Sequence, residues 1–262
     1  MVRQMGDASV RPRLVVGEVL AGRSADDVLA LPEGAVRHLQ VLRMQPGDEV
    51  WLLDGHGGGW VAQVKEMGRK AADVRLVAPL LRHVELPVRV TLVVGVPAND
   101  RMDALVEKAT ELGAWRIQPV LCERAVWRAD GARAEKKVSH WQGVAQAAAE
   151  QSGRMVMPEI GRLHTFNQWM TDACARQADG WFVLDPRAER AWGEELEVRA
   201  AAGLPPSAHW LMVSGPEGGL TDDEVRACVQ AGATAVRLGP RVLRADTAPL
   251  AVLASISARL ER

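Results

Sequence analysis

From residue 88 onward the chain alternates short, wholly apolar runs with stretches of helical periodicity, and few architectures accommodate that pattern. VRVTLVVGV (88–96), RIQPVL (116–121), WFVLD (181–185), WLMVS (210–214) and AVRLG (235–239) read as strands buried on both faces. Between the first two, Asn99-Asp100 offer an N-cap. Met102, Leu105, Val106, Ala109 and Leu112 follow at helical spacing until Gly113 stops the helix. Further helices are expected over 134–152, closed by Gly153, and over 221–231 and 247–260. Strand alternating with helix gives an α/β domain with a mainly parallel sheet.

The first eighty residues read differently. VWLLDG (50–55) and GWVAQV (59–64) flank Gly55-His56-Gly57-Gly58-Gly59, a hairpin signal. Pro46-Gly47-Asp48 marks a turn, and 34–42 fits one short helix with Val36, Leu39 and Val41 inward. Short strands with Gly/Pro turns suggest a small β-barrel. The segment APLLRHVELP carries the boundary, dividing the chain into domains 1–82 and 83–262.

Composition excludes several classes. The longest apolar runs fall well short of the roughly 18 residues that span a bilayer. MVRQMGDASVRPR lacks the apolar core of a secretory signal, so a cytoplasmic protein without membrane attachment is expected. Cys122, Cys174 and Cys228 are far apart with no CxxC pair, which fits reduced thiols. With 32 Lys and Arg against 33 Asp and Glu, bulk charge marks no nucleic-acid binder. Residues 1–80 are also balanced, so any charge-driven binding there rests on a local patch such as Arg37 and Arg43.

The most informative stretch is WLMVSGPEGGLTDDEV (210–225). A buried strand ends in Ser214-Gly215-Pro216-Glu217-Gly218-Gly219, and a helix opens with Thr221 and Glu224 placed for a capping box. Glycines between strand end and helix start admit close backbone approach to a ligand. Neither GxxxxGK[ST] nor GxGxxG is present, which disfavours nucleoside triphosphates and dinucleotides. One helix later a second loop carries Arg241, Arg244 and Asp246, then Thr247-Ala248-Pro249 at a helix start. Asp246 or Thr247 is the expected N-cap, and Arg244 and Asp246 read equally well as a solvated ion pair or as site residues. No HExxH, Cys/His cluster or GxSxG occurs, and the six scattered histidines read as surface or packing residues.

GPEGGLTDDE followed by LGPRVLRADTA resembles the C-terminal signature of the RsmE family, bacterial 16S rRNA (uracil-N3) methyltransferases of the SPOUT superfamily. HLQVLRMQPGDEVWLLDG (38–55) resembles its PUA-like barrel, and NDRMDALVEKATELGAWRIQPV (99–120) the start of its catalytic domain. ERAVWR (123–128) and AAAEQSGRMVMPEI (147–160) resemble two further blocks. One departure is Arg244-Ala245-Asp246-Thr247, where the family usually has Arg-x-Glu-Thr.

The resemblance implies a SPOUT-type, trefoil-knotted parallel sheet behind a PUA-like β-barrel that helps dock RNA. It implies S-adenosylmethionine (SAM) held by Leu184, by Ser214, Gly215, Pro216, Glu217, Gly218 and Gly219, and by Leu238, Gly239, Pro240, Val242 and Leu243. It implies no metal, a homodimer, and 16S rRNA or the small ribosomal subunit as partner rather than DNA. Arg244 then stabilises charge on the uracil oxygens, and Asp246 is the candidate base. Arg37, Arg43, Lys108, Arg124 and Arg154 are the expected RNA contacts. Two alternatives stand beside this reading: an RNA-binding paralogue without turnover, and a SPOUT enzyme acting on ribose 2′-hydroxyls or on tRNA.

Overall fold

The computed structural model describes residues 11–98, 101–171, 178–205 and 207–261. The N-terminal segment 1–10, the Asn99-Asp100 N-cap and Cys174 lie outside the described residues. Two compact units are present: residues 1–85 with 149–157, and residues 86–148 with 158–262. The second segment of the first unit lies far from the sequence-derived boundary near residue 82.

The first unit holds β1 (Arg13–Val15), β2 (Val28–Ala30), α1 (Glu33–Val41), β3 (Glu49–Leu53), β4 (Gly59–Met67) and β5 (Ala72–Pro79). Its five-stranded sheet runs in the order β1-β3-β4-β5-β2. The glycine-rich hairpin joins β3 to β4 antiparallel, Leu53 opposite Gly59. Asp54 organises that turn, its buried carboxylate accepting the His56 and Gly58 N–H groups at 2.7 and 2.9 Å. Val36 and Leu39 are buried as expected. Val41 is 80% exposed instead, because two residues past the buried Leu39 it falls on the opposite face of the helix. Segment 149–157 contributes Met155, which is buried with Val15, Trp51, Leu53 and Leu80.

The second unit holds β6 (Arg89–Gly95), α2 (Arg101–Glu111), β7 (Arg116–Leu121), α3 (Gly131–Ser152), β8 (Glu159–Ile160), β9 (His164–Thr165), α4 (Phe166–Thr171), β10 (Gly180–Leu184), α5 (Trp192–Ala202), β11 (His209–Ser214), α6 (Asp222–Gln230), β12 (Thr234–Val236) and α7 (Thr247–Leu260). The last four residues of α3 fall in the first unit. The sheet order is β12-β10-β11-β6-β7-β8, with β9 also on β7, and every pairing is parallel. Parallel strands covered on both faces must be apolar throughout, which explains the continuous runs in the sequence. Phe182, Trp192 and Trp210 pack edge-to-face at 5.2–6.1 Å and centre one side of this core.

Two sequence expectations are altered. β12 stops at Val236, and the chain then leaves the sheet towards Gly239, whose φ of +79° suits glycine. Asp246 stands at the N-cap of α7 but makes no capping bond. Its helical φ/ψ of −80° and −26° replaces the extended conformation in which a cap side chain reaches back. Among the described residues no helix is long and apolar enough to cross a membrane.

Candidate active site

The carboxyl ends of β10, β11 and β12 open onto one cleft of about 430 Å³. Ligand pockets usually span roughly 300–1,000 Å³, and in open parallel sheets they lie at these strand ends. The loop after β11 forms one wall with Ser214, Gly215, Pro216, Glu217, Gly218 and Gly219. The loop after β12 forms the other with Leu238, Arg241, Val242, Leu243, Arg244 and Ala245. Leu184, Asp185 and Pro186 close the side at the end of β10. Gly239, Pro240 and Asp246, expected from the sequence, are not among the lining residues. Arg101, Asp185 and Val236 line the cleft without having been singled out.

Local interactions fix the first wall. Thr221 and Glu224 form the reciprocal capping box: Thr221 Oγ1 accepts from Glu224 N at 3.2 Å, and Glu224 Oε2 accepts from Thr221 N at 2.8 Å. The other Glu224 oxygen accepts from Glu123 N at 2.9 Å, tying α6 to the strand-end loop after β7. Glu217 accepts from Ala98 N at 2.9 Å and pairs with Arg101 at 3.3 Å. Asp222, Asp223 and Glu224 occupy the first turn of α6, where negative side chains favour the helix N-terminus.

Glycine is required here for two different reasons. A Cβ on Gly95 would sit 2.5 Å from Pro216, and one on Gly215 would sit 2.5 Å from Leu220 N. Both permit the loop to fold closely on the sheet. At Gly218 the close neighbour is Arg124, whose Cβ would lie 2.9 Å from an added Cβ. Gly218 also lines the cleft, as the sequence led one to expect, so its bare Cα faces both Arg124 and the ligand space.

Ser214 suits a ligand. It is 2% exposed, lines the cleft, and its Oγ has no hydrogen-bond partner. Buried hydroxyls are seldom left unsatisfied, so this oxygen is a polar contact held in reserve. The remaining lining mixes aliphatic side chains with exposed backbone, fitting a mostly apolar ligand with a few polar groups. Thiol chemistry has no support: burial pushes Cys228 up to about 12 and Cys122 higher still.

Arg244 lines the cleft, and its backbone oxygen accepts from Thr247 N and Ala248 N. Among the described residues no carboxylate pairs with Arg241 or Arg244, so the Arg244–Asp246 ion pair does not form. Asp246 Oδ1 is buried without a hydrogen-bond partner.

The expected RNA contacts divide. Arg37 pairs with Glu33 on α1, while Arg43 is exposed with φ +58°. Lys108 is held between Glu107 and Glu111 at 2.7 and 2.8 Å, which raises its pKa. Arg124 donates to Gly218 O and Leu220 O at 3.2 and 3.3 Å. Arg154 is corrected: it is 4% exposed and paired with Glu85, with Nε at 3.0 Å from the carboxylate. A guanidinium buried on a carboxylate is a structural brace of the first unit, not a surface for RNA.

One compact unit is thus a parallel α/β sheet with a strand-end cleft, and the other a small β unit. Residues 84–257 match the RNA methyltransferase domain and residues 31–77 the RNA methyltransferase PUA domain. A ribosomal RNA small subunit methyltransferase E from Synechocystis is 34% identical over 89% of this chain and 74% of its own length. One from Bacillus subtilis is 31% identical over 86% and 88%. The crystal structure of a ribosomal RNA small subunit methyltransferase E from Neisseria gonorrhoeae bound to S-adenosyl methionine superposes with a TM-score of 0.82 at 30% identity. It covers 95% of this chain and 97% of the other. The chain belongs to the ribosomal RNA small subunit methyltransferase E family.

Proposed function

We infer that this protein transfers the methyl group of SAM to N3 of a uridine in the 16S rRNA of the small ribosomal subunit. The supporting observation is the cleft whose two loop walls combine an unsatisfied buried hydroxyl, Ser214, with an arginine that no carboxylate matches among the described residues, Arg244. SAM bound in the cleft supplies an electrophilic methyl on a sulfonium. Leu184, Ser214, Gly215–Gly219, Leu238, Val242 and Leu243 hold it within this reading, and Gly239 and Pro240 shape the second loop behind them.

The chain's own contribution is alignment and charge. Holding two reactants in line removes much of the barrier to a bimolecular step. The target uracil is unstacked to enter the cleft, because N3 is inaccessible inside a paired helix. N3 loses its proton on methylation and charge grows on the flanking oxygens. Arg244, a permanent planar cation at the cleft, stabilises that charge. Asp246 follows the lining residues Arg244 and Ala245 and is assigned the proton-accepting role on its unpartnered Oδ1, which requires its side chain to turn into the cleft when substrate binds.

The first unit serves RNA affinity and the second the chemistry, in a cytoplasmic homodimer with the knotted topology of its family. The exposed Val242, 81% accessible on a loop of the cleft, supports a subunit contact near the site. The decisive experiment incubates the protein with labelled SAM and small subunits lacking the modification, then digests the RNA for nucleoside mass spectrometry. N3-methyluridine is expected. A ribose-methylated nucleoside, methylated tRNA alone, or no transfer refutes the assignment.

A further inference from the structure

Eight cations of the second unit are matched with carboxylates among the described residues. Arg101 pairs with Glu217, Lys108 with Glu107 and Glu111, Arg116 with Glu159, and Arg187 with Asp185 and Asp222. Arg190 and Arg199 share Glu195, Arg226 pairs with Asp223, and Arg259 with Glu197. Of the cations without such a pair, three are clustered on α3. Arg133, Lys136 and Lys137 have no ion pair among the described residues, and two of the chain's five lysines are here. With His140 they fall at i, i+3, i+4 and i+7, which is one face of a helix. The adjoining face carries Val138, Trp141 and Ala145 into the core, so the cationic face is turned outward. His140 itself pairs with Asp103 on α2 at 2.7 Å and closes the stripe. Glu135 lies on the opposite side of the helix from Arg133.

The stripe continues towards the cleft through the loop that precedes α3. Arg128 donates to Cys122 O and Glu123 O, and Arg124 to Gly218 O and Leu220 O. These partners are neutral carbonyls that fix the guanidiniums in place, and among the described residues neither guanidinium forms an ion pair, with Asp222 within electrostatic reach of Arg124. Gly218 lines the cleft.

We propose that the α3 face bearing Arg133, Lys136 and Lys137, continued by Arg124 and Arg128, is a track for RNA phosphates that ends at the methyl-transfer cleft. The argument is charge complementarity. A chain of net charge −1 has no bulk attraction for RNA, so affinity must come from local cations that no carboxylate neutralises. Phosphate contacts set register without reading sequence, which suits a surface that delivers one base to a cleft. The proposal rests on the assignment of rRNA as substrate.

The test measures binding of the full-length protein to naked 16S rRNA and to small subunits over a range of salt concentrations. Each phosphate contact contributes about 0.7–0.9 to the slope of log K against log salt. The triple variant Arg133→Gln, Lys136→Gln, Lys137→Gln should lose about 2 units of slope and raise KM for RNA, with SAM affinity and circular dichroism unchanged. The charge-keeping variant Lys136→Arg, Lys137→Arg should retain the slope. An unchanged slope in the folded triple variant overturns the proposal. So does a loss confined to assembled subunits, which would make the face a contact for a ribosomal protein. If the wild type binds RNA through these residues yet transfers no methyl group, the enzymatic assignment fails and the phosphate track stands.

Discussion

Replacing Glu224 with alanine removes two anchors at once. Its carboxylate accepts from Thr221 N at 2.8 Å and from Glu123 N at 2.9 Å, and the side chain is 7% exposed. A hydrogen bond to a charged group contributes about 1.5–3 kcal/mol, and the alanine variant leaves both N–H groups without that acceptor. The expected loss is about 3–5 kcal/mol. At about 2–4 °C per kcal/mol for a domain of this size, the melting temperature should fall by roughly 6–20 °C. Glu224→Gln keeps one acceptor oxygen and should lose about half as much. Thr221→Ala removes only the cap to Glu224 N and should cost about 1 kcal/mol. Because Thr221 and Glu224 cap each other, the double variant should lose less than the sum. Denaturant melts of the four proteins measure these values, and calorimetry with SAM reports whether the 215–220 loop has moved. A Glu224→Ala protein within about 0.5 kcal/mol of wild type, the range of ordinary surface changes, would refute the reasoning.

Arg244→Ala should slow single-turnover methylation by about a hundred- to a thousandfold with little change in SAM affinity, whereas Arg244→Lys should recover only part of the rate. Because no ion pair links the two residues, Asp246→Asn should not reproduce the thermal melt of Arg244→Ala, and identical melts would reinstate a pair. Ser214→Ala deletes a buried hydroxyl with no partner in the protein, so stability should hold or rise while SAM affinity falls by calorimetry. Burial lowers the pKa of His209, whose Nε2 lies 2.8 Å from Thr91 Oγ1. Below its ordinary value of 6.5 the unfolded chain takes up this proton more readily than the folded one, so stability should fall as the medium is acidified. His209→Asn should flatten that slope in melts recorded between pH 5 and pH 7.

Legibility in the sequence followed the range of the interactions. Strands β6 and β11 were readable because burial on both faces forces unbroken apolar runs, and the Thr221–Glu224 cap because its partners are three residues apart. The cleft walls were readable as glycine-bearing loops at strand ends. Features set by distant residues were not. Arg154 reads as a free cation until Glu85, sixty-nine residues away, is placed against it. Gly95 looks like an ordinary strand residue until Pro216 packs on it, and the crowding at Gly218 is invisible without Arg124. The failure of Asp246 to cap α7 depends on a backbone conformation imposed by the preceding loop rather than on its own propensity.

The division of the first unit into residues 1–85 and 149–157 makes the order of synthesis matter. Glu85 emerges from the ribosome about 70 residues before the partner segment that carries Met155. At about 5–20 residues per second, that gap lasts roughly 4–14 s. Throughout it, the apolar surface of Val15, Trp51, Leu53 and Leu80 lacks the side chain that covers it in the finished protein. The N-terminal unit, although first to be made, therefore completes its core only after part of the catalytic unit has been translated.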